Sequence, residues 1–145
     1  MFSFGKSPAK KAMDKIVAAM KNHGHTDFEL NDAGTSIFIT MNGNNFEDGE
    51  EIFCIHVDDD GLSVSLDLFS LVEGISPSEL SDAYEFCNIM NDKYRWVRTH
   101  VDSDNDLSIT IDAVVEPNTV GEECVELLER MASICNDIAG DLKNS

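Results

Sequence analysis

Positive charge is scarce in this sequence. Ten lysines and arginines stand against 28 aspartates and glutamates in 145 residues, a net charge of −18 at neutral pH. So acidic a surface repels phosphate backbones and anionic headgroups, which excludes nucleic acid and the membrane surface as expected partners. No apolar run approaches the roughly 18 residues of a membrane-spanning helix. The opening "MFSFGKSPAKKA" also lacks the continuous apolar segment and small-residue cleavage site of a secretion signal. The chain therefore reads as soluble and cytoplasmic. Paired cysteine spacing is missing too: Cys54, Cys87, Cys124 and Cys135 form no C-x-x-C and sit among apolar neighbours. On one helix Cys124 and Cys135 would lie about 16 Å apart, too far for a disulfide, so four buried free thiols are expected. A glycine-rich phosphate loop, a nucleophile elbow and H-E-x-x-H are all absent. Carboxylates are so abundant that some pair will always look catalytic. No catalytic residue and no cofactor is assigned, and a non-enzyme is expected.

The little positive charge present is concentrated. Residues 1–22 hold Lys6, Lys10, Lys11, Lys15 and Lys21 against Asp14, a net +4, while the other 123 residues hold 5 basic and 27 acidic side chains, a net −22. The basic segment reads either as a solvated helix face or as an electrostatic clamp onto an acidic surface of this or a neighbouring subunit.

Length and apolar content suit one domain over 1–145, with residues 1–7 as a flexible N-terminal tail. Ser7-Pro8 predicts a helix start, and Ala12, Met13, Ile16, Val17 and Met20 form its apolar stripe before "NHGH". "FEL", "SIFITM", "EIFCIHV" and "LSVSLDLF" read as strands separated by turn residues. Ser76, Pro77 and Glu79 predict a capping box for a second helix with stripe Leu80, Ala83, Tyr84, Cys87 and Met90. Pro117 ends a later hairpin. Thr119 and Glu122 predict another capping box, opening a long helix marked by Cys124, Leu127, Leu128, Met131, Cys135, Ile138 and Leu142. The order α-β-β-β-β-α-β-β-α indicates an α+β fold, a single antiparallel sheet with helices packed on one face and the other face partly open.

"HVDSDNDLSITID", His100 to Asp112, carries alternating aspartates that invite a calcium-loop reading. Leu107 stands where the loop's glycine is required and Ala113 where its glutamate is required, so that reading fails. The alternation of Leu107 to Asp112 indicates a strand, with the aspartates at a hairpin tip. "HVDDDGLSVSLD", His56 to Asp67, echoes the same phrase one residue shorter, which predicts two similar hairpins.

Alternation also assigns faces. Val64, Leu66, Leu68, Ile109 and Ile111 point inward, and Ser63, Ser65, Asp67, Ser108, Thr110 and Asp112 point outward. Reading "YRWVRTHVD" as the fifth strand puts Trp96, Arg98 and His100 together on the open face, the composition of a protein-binding hot spot. These three are the candidate partner-binding residues. Were the hairpins adjacent, His56, Asp58, His100 and Asp102 could instead converge as a two-histidine, two-carboxylate metal or small-ligand site; the competing reading is a solvated polar face.

The stretch "ELSDAYEFCNIMNDKYRWVRTHVDSDNDLSITIDAVV", with Asn88-Ile89-Met90-Asn91 at its helix end, resembles the YbjN family of bacterial sensory-transduction regulators, whose fold is similar to that of type III secretion chaperones. The likeness extends over about residues 8–142. It implies a small acidic protein, often a homodimer, that binds other proteins and has no known catalytic residues. Asn88 and Asn91 match the family pattern, which implies a structural role in capping the helix end and bonding the turn into the next strand. Secretion chaperones usually show three strands before the middle helix, and four are read here. The function expected is a non-catalytic interaction module, chaperone-like or regulatory, that uses the open sheet face or an edge strand.

Overall fold

The computed structural model describes residues 5–145. Of the tail expected over 1–7, residues 1–4 lie outside the described residues. Ser7 is the N-cap of the first helix, its hydroxyl accepting from the Lys10 amide at 3.2 Å, and the Lys6 ammonium pairs with Asp14.

Helix α1, Pro8–Asn22, stops at a Schellman turn: Gly24 takes a left-handed φ of 83°, and the His25 amide reaches back to the Met20 carbonyl at 2.8 Å. Four strands follow, β1 (Phe28–Leu30), β2 (Ser36–Asn42), β3 (Glu50–Val57) and β4 (Ser63–Val72). A 3₁₀ turn at Pro77–Glu79 leads into α2, Leu80–Lys93; β5 (Arg98–Val101), β6 (Leu107–Val114) and α3 (Val120–Lys143) complete the order read from the sequence. The six strands form one antiparallel sheet in the order β1-β2-β3-β4-β6-β5.

One face of the sheet carries the core. Ile37, Ile55, Leu66 and Ile111 are consecutive cross-strand neighbours on it, each nearly or fully buried. Met13, Ile16 and Met20 of α1 and Leu128, Met131 and Cys135 of α3 cover them. The two helices approach closely because position 121 is glycine: a Cβ there would stand 2.6 Å from the Lys15 carbonyl oxygen. Asn136 of α3 latches the β2–β3 loop, accepting from the Asn45 amide at 2.8 Å and donating to the Asn44 side chain at 2.8 Å.

Both predicted capping boxes take other forms. The Ser76 hydroxyl donates to Glu79 at 2.9 Å and makes no bond to the backbone, because the first turn tightens to 3₁₀. Thr119 caps α3 in position only; its hydroxyl donates to Glu123, and Glu122 faces His23 at 2.7 Å. Tyr84, expected on the buried stripe of α2, is exposed, since α2 buries only Cys87 and Met90.

The sequence echo has a geometric counterpart. Leu66 and Ile111, equivalent in the two phrases, pair directly, while Ser65 pairs Asp112 and Asp67 pairs Thr110. The inner strands β4 and β6 are thus related by a local two-fold axis through the Leu66–Ile111 pair. The turns repeat as well. Asp58 accepts from the Ser63 hydroxyl and Asp102 from the Ser108 hydroxyl, and Gly61 and Asn105 both take left-handed φ, 70° and 59°.

Candidate functional site

The aspartate-rich tip is built to fold back on itself. Asp102 accepts from the amides of Asp104 and Asp106 at 2.9 and 3.1 Å and from the Ser108 hydroxyl at 2.8 Å. These donors hold its carboxyl below the usual aspartate range, against the opposing effect of burial. Asp106 accepts from the Ser70 hydroxyl and the Gly74 amide, which fastens the tip to the bulged end of β4. Two of the three carboxylates that suggested calcium, Asp102 and Asp106, are thus occupied by donors of the chain itself.

The metal alternative is not assembled. The hairpins are neighbours, but their inner strands meet, so His56 on β3 and His100 on β5 have β4 and β6 between them. Three interstrand steps of about 4.8 Å set them roughly 14 Å apart across the sheet, and His56 lies in the row of Asp112 whereas His100 pairs Ser108, four residues further along β6, so the full separation is about 20 Å. His56 shares a 2.7 Å hydrogen bond with Ser36, and Asp58 and Asp102 bond their own serines. Among the described residues no group of three or more His, Cys, Asp or Glu is placed to hold a metal ion.

Trp96 is also displaced from its expected place. β5 begins only at Arg98, because Tyr94 and Lys93 both donate to Asp141 of α3 at 2.9 Å and draw the preceding segment along that helix. The Trp96 ring, about half exposed, lies under the Arg130 guanidinium of α3 at 5.1 Å, on the helix side of the sheet. Arg98 and His100 do remain on the open face, in register with Thr110 and Ser108. Of the asparagines, Asn91 makes the implied bond into the next strand: its side chain accepts from the Thr99 amide at 2.7 Å and donates to the Thr99 carbonyl at 3.0 Å. It caps no helix end, which falls to Tyr94. Asn88 is exposed.

The open face divides into a polar and an apolar part. Register sets Glu29, Phe38, Cys54, Asp67, Thr110 and Arg98 in one row across all six strands. Asp67 accepts from the Thr110 hydroxyl, and burial raises its carboxyl above the ordinary value, aided by Asp112 and opposed by that hydrogen bond and by His100 and Arg98. Ser108 and Thr110, expected to be solvated, are buried with partners on the sheet: Ser108 donates to Asp102 and accepts from the Ser70 amide, and Thr110 donates to Asp67. Toward β2 and β3 the face is apolar. Phe38, Ile52 and Phe69 are 41, 59 and 55% exposed. Ile52 lies two pairs along the ladder from Cys54, on the same face, and continuing the β3–β4 register sets Phe69 opposite it. Cys54 is buried beneath this patch, its thiol pushed up to about 11 by desolvation and by Asp67. No signal in the sequence singled out Phe38 and Ile52, because "SIFITM" and "EIFCIHV" are apolar on both faces, whereas the alternation of "LSVSLDLF" does set Phe69 on the outward side with Asp67.

Comparison with known proteins settles the lineage. The family YbjN, described as "Putative bacterial sensory transduction regulator", matches residues 14–143. The chain belongs to the YbjN family. A solved structure titled "Crystal structure of YbjN, a putative transcription regulator from E. coli" superposes with a TM-score of 0.57 at 13% identity, covering 90% of this chain and 93% of that one. At that identity the likeness is one of fold. No curated protein matches. Among the described residues of this YbjN-family chain, no helix is long and apolar enough to cross a membrane.

Proposed function

We propose that this YbjN-family protein is a non-catalytic regulatory or chaperone-like module that holds an apolar-faced segment of a partner protein on the open face of its sheet. The observation that carries the reading is the patch of Phe38, Ile52 and Phe69, large side chains left about half exposed beside polar residues that satisfy one another. Arg98 and His100, at the β5 end of the face, form its polar rim. Strand addition at an edge is the poorer reading. Asn91 occupies the free edge of β5, and β1 offers three residues. The protein acts in the cytoplasm as a homodimer in this proposal, which sedimentation velocity tests directly.

The test of the face is affinity capture from native lysate with the wild-type chain and a Phe38→Asp, Ile52→Asp variant, followed by calorimetric titration of the captured polypeptide after purification. The expected result is a stoichiometric polypeptide that binds the wild type and is lost from a variant with an unchanged far-ultraviolet spectrum. Equal binding by both proteins removes the sheet face as the site.

A further inference from the structure

Helix α2 is the least covered of the three helices. Of its 14 residues only Cys87 and Met90 are buried. Beside it runs a groove of about 490 Å³ with an apolar floor that includes Val72, Phe86, Ile89 and Leu142. The same lining contains Glu79, Asp82 and Glu85 and no lysine or arginine. Asp82, Glu85 and Ile89 are spaced i, i+3 and i+7, so two carboxylates and an apolar side chain share one stripe of the helix. Like charges at that spacing destabilise a helix, and none of the three acids is ion-paired among the described residues. The groove therefore combines uncovered apolar surface with uncompensated negative charge.

Charge decides what fits. Two copies meeting groove to groove would bring six carboxylates together in a low-dielectric contact, which opposes a symmetric self-interface. An amphipathic helix with apolar residues at i, i+3 and i+4 and lysines or arginines flanking them matches both the floor and the rim. We propose that this groove docks a short cationic amphipathic helix of a partner protein. The site shares no lining residue with the Phe38–Ile52–Phe69 patch and stands or falls independently of it.

The probe is a fluorescein-labelled synthetic peptide of about four helical turns, leucines on one face and lysines beside them, read by fluorescence anisotropy. Comparison peptides are a scramble of the same composition and a version with glutamate for lysine. Ile89→Asp and the double variant Asp82→Lys, Glu85→Lys change exposed positions, and circular dichroism verifies their fold. Saturable binding of the lysine peptide is expected, weakened about tenfold or more by Ile89→Asp. The double variant should lose the lysine peptide and gain the glutamate one. The proposal is overturned by no saturable binding up to about 1 mM, by equal binding of the scramble, or by variants that bind like the wild type, since general attraction to an acidic surface would then suffice. A self-associating wild type that becomes monomeric on Ile89→Asp would give the groove to a second copy and overturn it too.

Discussion

Replacing Asn91 by alanine tests how the sheet is terminated. Its amide group is the clasp on the outer strand, bonding the Thr99 N–H at 2.7 Å and the Thr99 carbonyl at 3.0 Å. Thr99 is only 1% exposed, so both backbone groups lose their partner where water has poor access. Leaving a buried group unpaired costs about 1–3 kcal/mol. Two such groups, with some relief as water enters the edge, give an expected loss of about 2–4 kcal/mol. For a domain of this size the thermal midpoint should fall by roughly 6–12 °C. Urea unfolding followed by circular dichroism measures the loss, and hydrogen exchange should show the Thr99 amide losing protection. Asn88→Ala is the internal control, since that side chain is exposed on the neighbouring turn of α2 and should cost less than about 0.5 kcal/mol. Equal urea midpoints for the two variants would refute the reasoning.

Asp67→Asn should stabilise the protein at pH 7. Burial raises the Asp67 carboxyl, so its ionised form opposes folding at neutral pH, and that penalty is relieved as pH falls through the raised folded-state value. Asparagine keeps an acceptor for Thr110, so its advantage should shrink on acidification and vanish below the ordinary aspartate range; a pH-independent difference contradicts this. The four cysteines are free and buried, with the Cys54 and Cys124 thiols pushed up to about 11 and about 12. A chromogenic disulfide reagent at neutral pH should titrate them only after denaturation, and rapid labelling of the native protein would count against this packing. Arg130→Ala should shift the emission of Trp96, the single tryptophan, while changing stability by less than about 1 kcal/mol; an unchanged spectrum would mean that the stack does not persist in solution.

The element order was legible because each signal was local: Pro8 and Pro77 open helical turns, and Leu107 to Asp112 alternate with a strand's period. What escaped was decided by distant contacts. Trp96 looked like a strand residue beside Arg98, but the bonds from Lys93 and Tyr94 to Asp141, on a helix about 50 positions later, pull that segment off the sheet. The histidine pairing failed for a similar reason. The sequence echo foretold twin hairpins, yet nothing in it said whether inner or outer strands would meet. The Ser76 and Thr119 capping boxes matched by residue type and spacing, yet both hydroxyls bond carboxylates instead, Ser76 where the first turn tightens to 3₁₀ and Thr119 where Glu123 comes within reach. The Phe38 and Ile52 part of the patch stayed hidden because a strand apolar on both faces gives no clue which face is covered, while Phe69 continues the outward row of Ser65 and Asp67.

The packing of α1 on α3 also sets an order of events during synthesis. Every strand pairing except β4 with β6 joins neighbours along the chain, so most of the sheet can close as it emerges. The first helix cannot. Lys15 of α1 meets Pro117, just before α3, across 102 positions of sequence. At roughly 5–20 residues per second the side of α1 that packs on α3 waits on the order of ten seconds for its cover, long after the strands beneath the helix have emerged. During that interval the α3-facing side of α1 is the apolar surface left open, and repulsion among the exposed Lys10, Lys11 and Lys21 opposes its association with other chains.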